Sequence, residues 1–204
     1  MRPAALVMQI ISESVQMDKE EIIRLTKSFG EGWAFPHIQR VSRLAERISE
    51  NLPCQTEWFW YAVYLHDWGA FPHYRLPGVD HALRSRQVAE SEVLPGCGLP
   101  AEAVTVILDA IERHDYRDPR PVTSNEGLLL READFLDFLG PLGIVREFAW
   151  GPNNLARVIH RIRSRMEGIR GRFTLPLAQE IAEQRILEME NLLTRLEEDS
   201  EGFL

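Results

Sequence analysis

Lysine is nearly missing from this chain: Lys19 and Lys27 stand alone, and arginine supplies the rest of the 23 basic residues. Acidic residues outnumber them, giving a formal net charge of -8. A long nucleic acid would be repelled by that field, whereas a small nucleotide is not excluded, because a cationic site reverses the sign locally. Cysteine is equally scarce. Cys54 and Cys97 cannot form a disulfide framework in 204 residues, and a reducing compartment is the simplest reading. Long apolar runs are absent too. The cleanest, Trp58 to Leu65, is far too short to span a bilayer. The start, MRPAALVMQIISESVQMDKE, has a short apolar patch without a small-residue cleavage site. A soluble cytoplasmic protein, without membrane or polynucleotide partners, is the expectation.

What is plentiful is apolar residue content, 45% with five Trp and nine Phe. That is enough for a sizeable core and argues against disorder. The length fits one domain, read as a core over about 18–150 with a helical extension over 151–204. The periodicity is helical, with no convincing strand pair and no repeat. A first helix spans 18–29, with Asp18 as its cap and Gly30 after its end. Pro36 sits in the first turn of the next, whose Ile38, Val41, Leu44, Ala45 and Ile48 recur mostly at three- and four-residue steps. Thr56 is placed to cap WFWYAVYLHDWG, with Gly69 at its end. Asp80 caps a helix over 81–94, and others follow at 101–115, from Ser124 or Asn125 to 139, at 141–150, 153–169 and 176–198. The fold class is all-α.

Chemistry enters through histidine and aspartate. His37 lies one turn before Val41, on the buried side of its helix; His66 and Asp67 end a very apolar helix; Asp134 sits in a helix rich in Leu and Phe. His81 begins a helix and His114 ends one, a turn after Ile111. A buried His or Asp is costly unless it is paired or bound to metal. One shared divalent cation would answer several at once, and imidazole with carboxylate suits manganese, ferrous iron or zinc. Successive side chains such as His66 and Asp67 diverge by about 100° on a helix, but at a helix end they can straddle an ion beside the last turn.

His37, then LHDWG at 65–69, then EADFLD at 132–137 resemble the HD superfamily of metal-dependent phosphohydrolases, whose signature is a His, a His-Asp doublet and a distant Asp. HIQRV at 37–41, DHALRS at 80–85 and AIERH at 110–114 resemble further family stretches, and the likeness covers roughly 30–150. EADFLDFLGPLGIVREF is similar to a subgroup of small bacterial members with a second Asp three residues on, here Asp137. The resemblance implies an HD-type helical bundle with additional C-terminal helices. It implies a divalent ion on His37, His66, Asp67 and Asp134: manganese or iron first, with zinc, magnesium, nickel or cobalt as other options. It also implies attack by a metal-bound hydroxide on a small phosphorylated substrate, a nucleotide or another phosphate ester or anhydride.

Asp67, His81 and His114 are the candidate catalytic residues. Three readings of His81 and His114 stand open: a second metal bridged by Asp67, contact with the substrate phosphate with one acting as general acid, or polar helix ends facing solvent. Arg40, Arg84 and Arg131 are candidate phosphate contacts. Asp137, and with less support Glu132, would orient a ligand or hold an arginine. Asp115 makes a second His-Asp pair that reads as chance. His73 reads as surface, and His160, within the basic run HRIRSR, as solvated. The aromatic cluster Trp58, Phe59, Trp60, Tyr61 and Tyr64 reads as core, with Trp68 beside the doublet the one to watch. Two rival functions remain, a di-iron oxygenase of the same fold and a non-enzymatic metal- or ligand-binding module. Either a monomer or a homodimer is compatible with the amphipathic tail.

Overall fold

Asp18, Asp80 and Ser124 each start a helix by accepting a hydrogen bond from a first-turn amide, Glu21 N at 2.8 Å, Ala82 N at 2.9 Å and Gly127 N at 3.0 Å. The computed structural model of the chain describes residues 17–151 and 154–201. Among them the order is α1 (Lys19–Phe29), α2 (Ala34–Ile48), α3 (Thr56–Leu65), α4 (His81–Val88), α5 (Ala101–Glu112), α6 (Asn125–Asp137), α7 (Pro141–Trp150), α8 (Leu155–Ile169) and α9 (Pro176–Asp199), with no strand. The N-terminal apolar patch at 1–16 and the start of the helix expected from 153 lie outside the described residues.

Several boundaries differ from the sequence reading: α5 ends at Glu112 and not at 115, which leaves His114 just past the helix, and α6 ends at Asp137 and not at 139. Helix α3 stops at Leu65, not at Gly69; the backbone turns at Asp67 (φ -109°, ψ 6°), and Trp68–Ala70 forms a short 3-10 turn. Gly69 serves a close approach instead of a helix stop. A Cβ there would lie 2.3 Å from the His81 carbonyl oxygen and 2.5 Å from Ser85 N, and the Gly69 amide donates to Ser85 Oγ at 2.8 Å. Past Val88 the α4 helix winds on as a π turn over Ala89–Val93 and a 3-10 turn over Leu94–Gly96. There the Ser91 hydroxyl donates to the Gln87 carbonyl, a back-bond that bends helices.

Helix α6 is the centre. It packs against α2, α3, α5 and α9, and from Leu129 to Asp137 every side chain is buried. A helix buried all round must find partners for its charged residues. Arg131 donates to the carbonyls of Arg113 and Arg120. Glu132 accepts from Thr174 N and Oγ1, both at 2.7 Å, and from Leu175 N, tying down the approach to α9. Asp137 accepts from His37 and from Arg40. Asp134 is the exception: its Oδ1 is buried with no hydrogen-bond partner. The C-terminal helices pack on this frame, α7 against α8 and α9, and α9 against α2 and α6.

Candidate metal centre

Two helix ends bring imidazoles to the orphan oxygen of Asp134. His37 comes from the first turns of α2, with Nε2 3.3 Å from Asp134 Oδ1. His66 follows the last residue of α3, and its Nε2 lies 3.1 Å from His37 Nε2 and 4.0 Å from Asp134 Oδ1. Asp67, where the chain leaves the helix, puts Oδ2 3.5 Å from both of those nitrogens. Its other oxygen faces a second pair, 3.5 Å from His81 Nε2 and 3.6 Å from His114 Nε2. Ending α3 one residue before the doublet is what lets adjacent side chains converge.

The tautomers follow from acceptors that cannot donate. His66 Nδ1 lies 2.7 Å from the Val63 carbonyl, His114 Nδ1 2.6 Å from the Ile111 carbonyl, and His37 Nδ1 2.8 Å from Asp137 Oδ2. Each Nδ1 therefore carries a hydrogen, and each Nε2 faces the cluster, where an ion would take the place of any proton on it. His81 is the opposite case. Arg117 Nη2, which can only donate, lies 3.2 Å from its Nδ1, so Nε2 holds the hydrogen. That N–H faces Asp67, Asp115 Oδ2 at 3.4 Å and His114 Nε2 at 3.3 Å.

The field at the cluster favours positive charge. Burial works against a proton on His37, but Asp134 and Asp137 outweigh it and push the ring up to about 9. Burial also opposes His114, and Asp67 raises it to about 9. His66 is taken down to about 4, chiefly by burial. Burial opposes the Asp67 anion, yet His66, His114, His37 and His81 around it hold the carboxyl well below the usual range. His37, His66 and Asp134 form one group whose donor atoms lie within 4.8 Å of one another, and His66, Asp67 and His114 form another. Three imidazoles and two carboxylates, one of which buries an oxygen with no hydrogen-bond partner, make a donor set that fits a divalent ion.

An HD domain family model matches residues 35–139. The chain belongs to the HD domain family. No curated protein matches it. Among solved structures, a predicted HD superfamily hydrolase from an uncultured Thermotogales bacterium is 26% identical, with 89% of this chain and 92% of that chain aligned at a TM-score of 0.61. An HD-superfamily hydrolase from Bacillus thuringiensis, 22% identical, aligns over 88% of this chain and 95% of that chain with a TM-score of 0.61. Bacillus subtilis YpgQ in complex with ADP, also 22% identical, aligns over 88% and 93% with a TM-score of 0.62. The last two show the likeness of fold. Among the described residues, no helix is long and apolar enough to cross a membrane.

Beside the HD-family cluster opens a pocket of about 330 Å³, walled by Trp33, Asp67, His81, His114, Asp115, Asp134 and, from α7 and α8, Arg146, Glu147, Trp150, Arg161 and Arg165. The arginines expected at phosphate are elsewhere. Arg40 is spent on Asp137, through Nε at 2.7 Å and Nη2 at 3.0 Å. Arg84 donates to the Tyr74 carbonyl at 2.7 Å, and Arg131 is buried against the Arg113 and Arg120 carbonyls; none of the three lines the pocket. Arg161, Arg165 and Arg146, the last of which also donates to Asp137, line it instead. The Phe138 ring lies under the guanidiniums of Arg146 and Arg165, and Glu147 accepts from Arg161 and Arg165. The Nε atoms of Arg161 and Arg165 are nonetheless buried with no acceptor.

Asp115, read as a chance pair with His114, is buried on the pocket wall, accepts from Arg117 and faces His81. Asp137 does hold both a histidine and arginines, whereas Glu132 points to the α9 approach. Trp68 is core: its Nε1 donates to Thr26 Oγ1 at 3.1 Å, and its ring stacks on Tyr74. His73 is exposed and stacks on Phe29; His160 is exposed. The trace that could have found the pocket arginines is the four-residue step from Arg161 to Arg165, which puts both on one face of α8.

Proposed function

We propose that this HD-domain protein is a metal-dependent phosphohydrolase whose substrate is a small phosphorylated molecule, a nucleotide in the first instance. The observation that carries the reading is the meeting of a metal-type donor set with an arginine wall in one pocket. His37, His66, Asp67 and Asp134 would hold the ion, and two imidazoles with two carboxylates suit manganese or iron. When bound, such an ion polarises a phosphoryl oxygen and acidifies water at its open positions.

The chain's own residues do the rest. Arg146, Arg161 and Arg165 receive the phosphate charge, and the unsatisfied Nε atoms of the last two favour an anionic visitor. His81, with its hydrogen on Nε2 and Arg117 behind Nδ1, is set to hydrogen-bond the leaving oxygen and stabilise the charge that develops there. Asp115 fixes Arg117 by accepting two hydrogen bonds from its guanidinium, at 2.9 and 2.7 Å. Trp150 and Tyr116 give the pocket apolar surface for the rest of the substrate. The ADP bound by YpgQ supports a nucleotide for that part.

A second ion between Asp67, His81 and His114, as a di-iron oxygenase needs, is favoured by the way Asp67 splits its oxygens between two histidine pairs. It would require His81 to give up its Nε2 hydrogen and the bond from Arg117, so the one-ion phosphohydrolase is the better reading. The test is elemental analysis followed by phosphate release from nucleoside mono-, di- and triphosphates across metals. The expected result is turnover that is lost in Asp67→Ala. Manganese-loaded protein that hydrolyses nothing in the panel, or two irons per chain with oxygen uptake, would sink the proposal.

A further inference from the structure

A cavity of about 780 Å³ shares no lining residue with the metal pocket. Arg40, Arg43 and Arg47 reach it from successive turns of α2, and Arg185 from α9. Only two carboxylates, Asp137 and Glu188, line it with them. Asp137 is already engaged by Arg40 and Arg146, and Arg43 turns to Glu46. Arg47 has no ion pair among the described residues. Arg185 donates to the Leu136 carbonyl at 2.6 Å instead of to a carboxylate. Burial pushes its guanidinium below the usual range; Asp137 opposes this and Arg47 adds to it.

Like charges at a four-residue step, as in Arg43 and Arg47, destabilise a helix. In a chain of net charge -8, such a patch over an apolar wall has an electrostatic vacancy for an anion. Leu44 and Leu139 are buried in that wall, and Leu142 is nearly half exposed. The start of α7 at Gly140 and Pro141, uncapped by any side chain, adds the positive end of a helix to the same wall.

The geometry points to a second ligand site: the groove between α2, the α6–α7 turn and α9 binds a small organic anion, with its charge on Arg47 and Arg185 and its apolar body on Leu142, over the buried Leu44 and Leu139. Arg40 links this groove to the metal cluster, since it holds both oxygens of Asp137, which in turn accepts from His37 Nδ1. An anion that draws Arg40 outward leaves more of the Asp137 charge for His37 and tightens metal binding. By reciprocity the metal tightens the anion by the same factor. This coupling rests on the metal reading above; the anion site itself does not.

The experiment is calorimetric titration of phenyl phosphate, benzoate and inorganic phosphate into the full chain in EDTA. The site requires one organic anion per chain whose binding is weaker by about tenfold or more in Arg47→Glu and in Arg185→Gln, and unchanged in Arg163→Glu, a residue that lines neither pocket. Arg47 is exposed and unpaired, so its variant should fold, and a thermal melt checks this. Benzoate matching phenyl phosphate supports a site for organic anions in general; a preference for phosphate supports a phosphoryl ligand. No binding of any probe, binding indifferent to Arg47→Glu, or binding weakened equally in Arg163→Glu overturns the site. Manganese titrated with and without benzoate then tests the link, which requires tighter binding with benzoate by about threefold. Equal affinities remove the link and leave the site, whereas no manganese binding at all counts against the metal reading and not against the groove.

Discussion

Replacing Asp137 by Asn separates the metal centre from the fold that holds it. The carboxylate is buried, accepts from His37 Nδ1 at 2.8 Å, and takes two hydrogen bonds from Arg40 and one from Arg146. Asparagine keeps the shape and one oxygen but removes the charge that makes the His37 ring a strong donor. Losing such a partner behind a metal-ligating histidine costs about 10- to 100-fold in metal affinity, or roughly 1.4–2.7 kcal/mol. The fold also suffers. Breaking a fully buried ion pair costs about 3–5 kcal/mol. Arg40 is 32% exposed and Arg146 24%, so water screens both. We expect about 1–2 kcal/mol here, or a Tm lower by roughly 2–8 °C. The sign with pH follows from direction: burial opposes the Asp137 anion, but His37, Arg40 and Arg146 hold its carboxyl below the ordinary value. Its contribution in EDTA is therefore present above pH about 4 and fades as the solution is acidified further, so wild type and variant converge there. The assay is manganese titration by calorimetry, with melts in EDTA at several pH values. A variant that melts lower but binds manganese as tightly as wild type would refute the reasoning, for His37 would then not owe its donor strength to Asp137.

Four further outcomes follow from particular contacts. Gly69→Ala should unfold the chain or lower its stability by about 3 kcal/mol, because the new methyl meets the α4 backbone and not a flexible tip; expression and a urea melt will tell, and a native-like midpoint would contradict the close approach. Manganese at about 100 times its Kd should stabilise by about 2.7 kcal/mol and raise the Tm by about 5–11 °C, reversed by EDTA, while a Tm indifferent to metal would speak against the site. Burial first, and Glu126 next, push the Cys54 thiol up to about 12. At pH 8 its thiolate is therefore roughly a thousandfold rarer than at the unperturbed value, and iodoacetamide should label it far more slowly than a model thiol, with the rate still rising with pH above 9. Arg131→Gln should cost about 2 kcal/mol through its lost carbonyl partners and leave the KM of the remaining folded enzyme unchanged; a raised KM would return Arg131 to the substrate.

Local chemistry wrote much of this molecule into its sequence. Helical spacing and the caps Asp18, Asp80 and Ser124 set where helices start, since a cap needs only the amides two or three residues on. A shared partner for His37, His66, Asp67 and Asp134 was legible because burying such groups on apolar helices is prohibitive without one, and their order matched the family signature. Asp137 could be read as a residue behind the ligands from the family stretch that EADFLDFLGPLGIVREF resembles. Tertiary structure decided what long side chains do. Arg40, Arg84 and Arg131 found carboxylate or carbonyl acceptors nearer than the pocket, while Arg146, Arg161 and Arg165 entered it only because α7 and α8 dock beside the cluster. Asp115 acquired its place through Arg117 and His81, contacts that depend on how the loop after α5 meets α4. A guanidinium reaches its partner across several rotatable bonds, so its destination is set by which helices become neighbours, and periodicity along one helix carries no record of that.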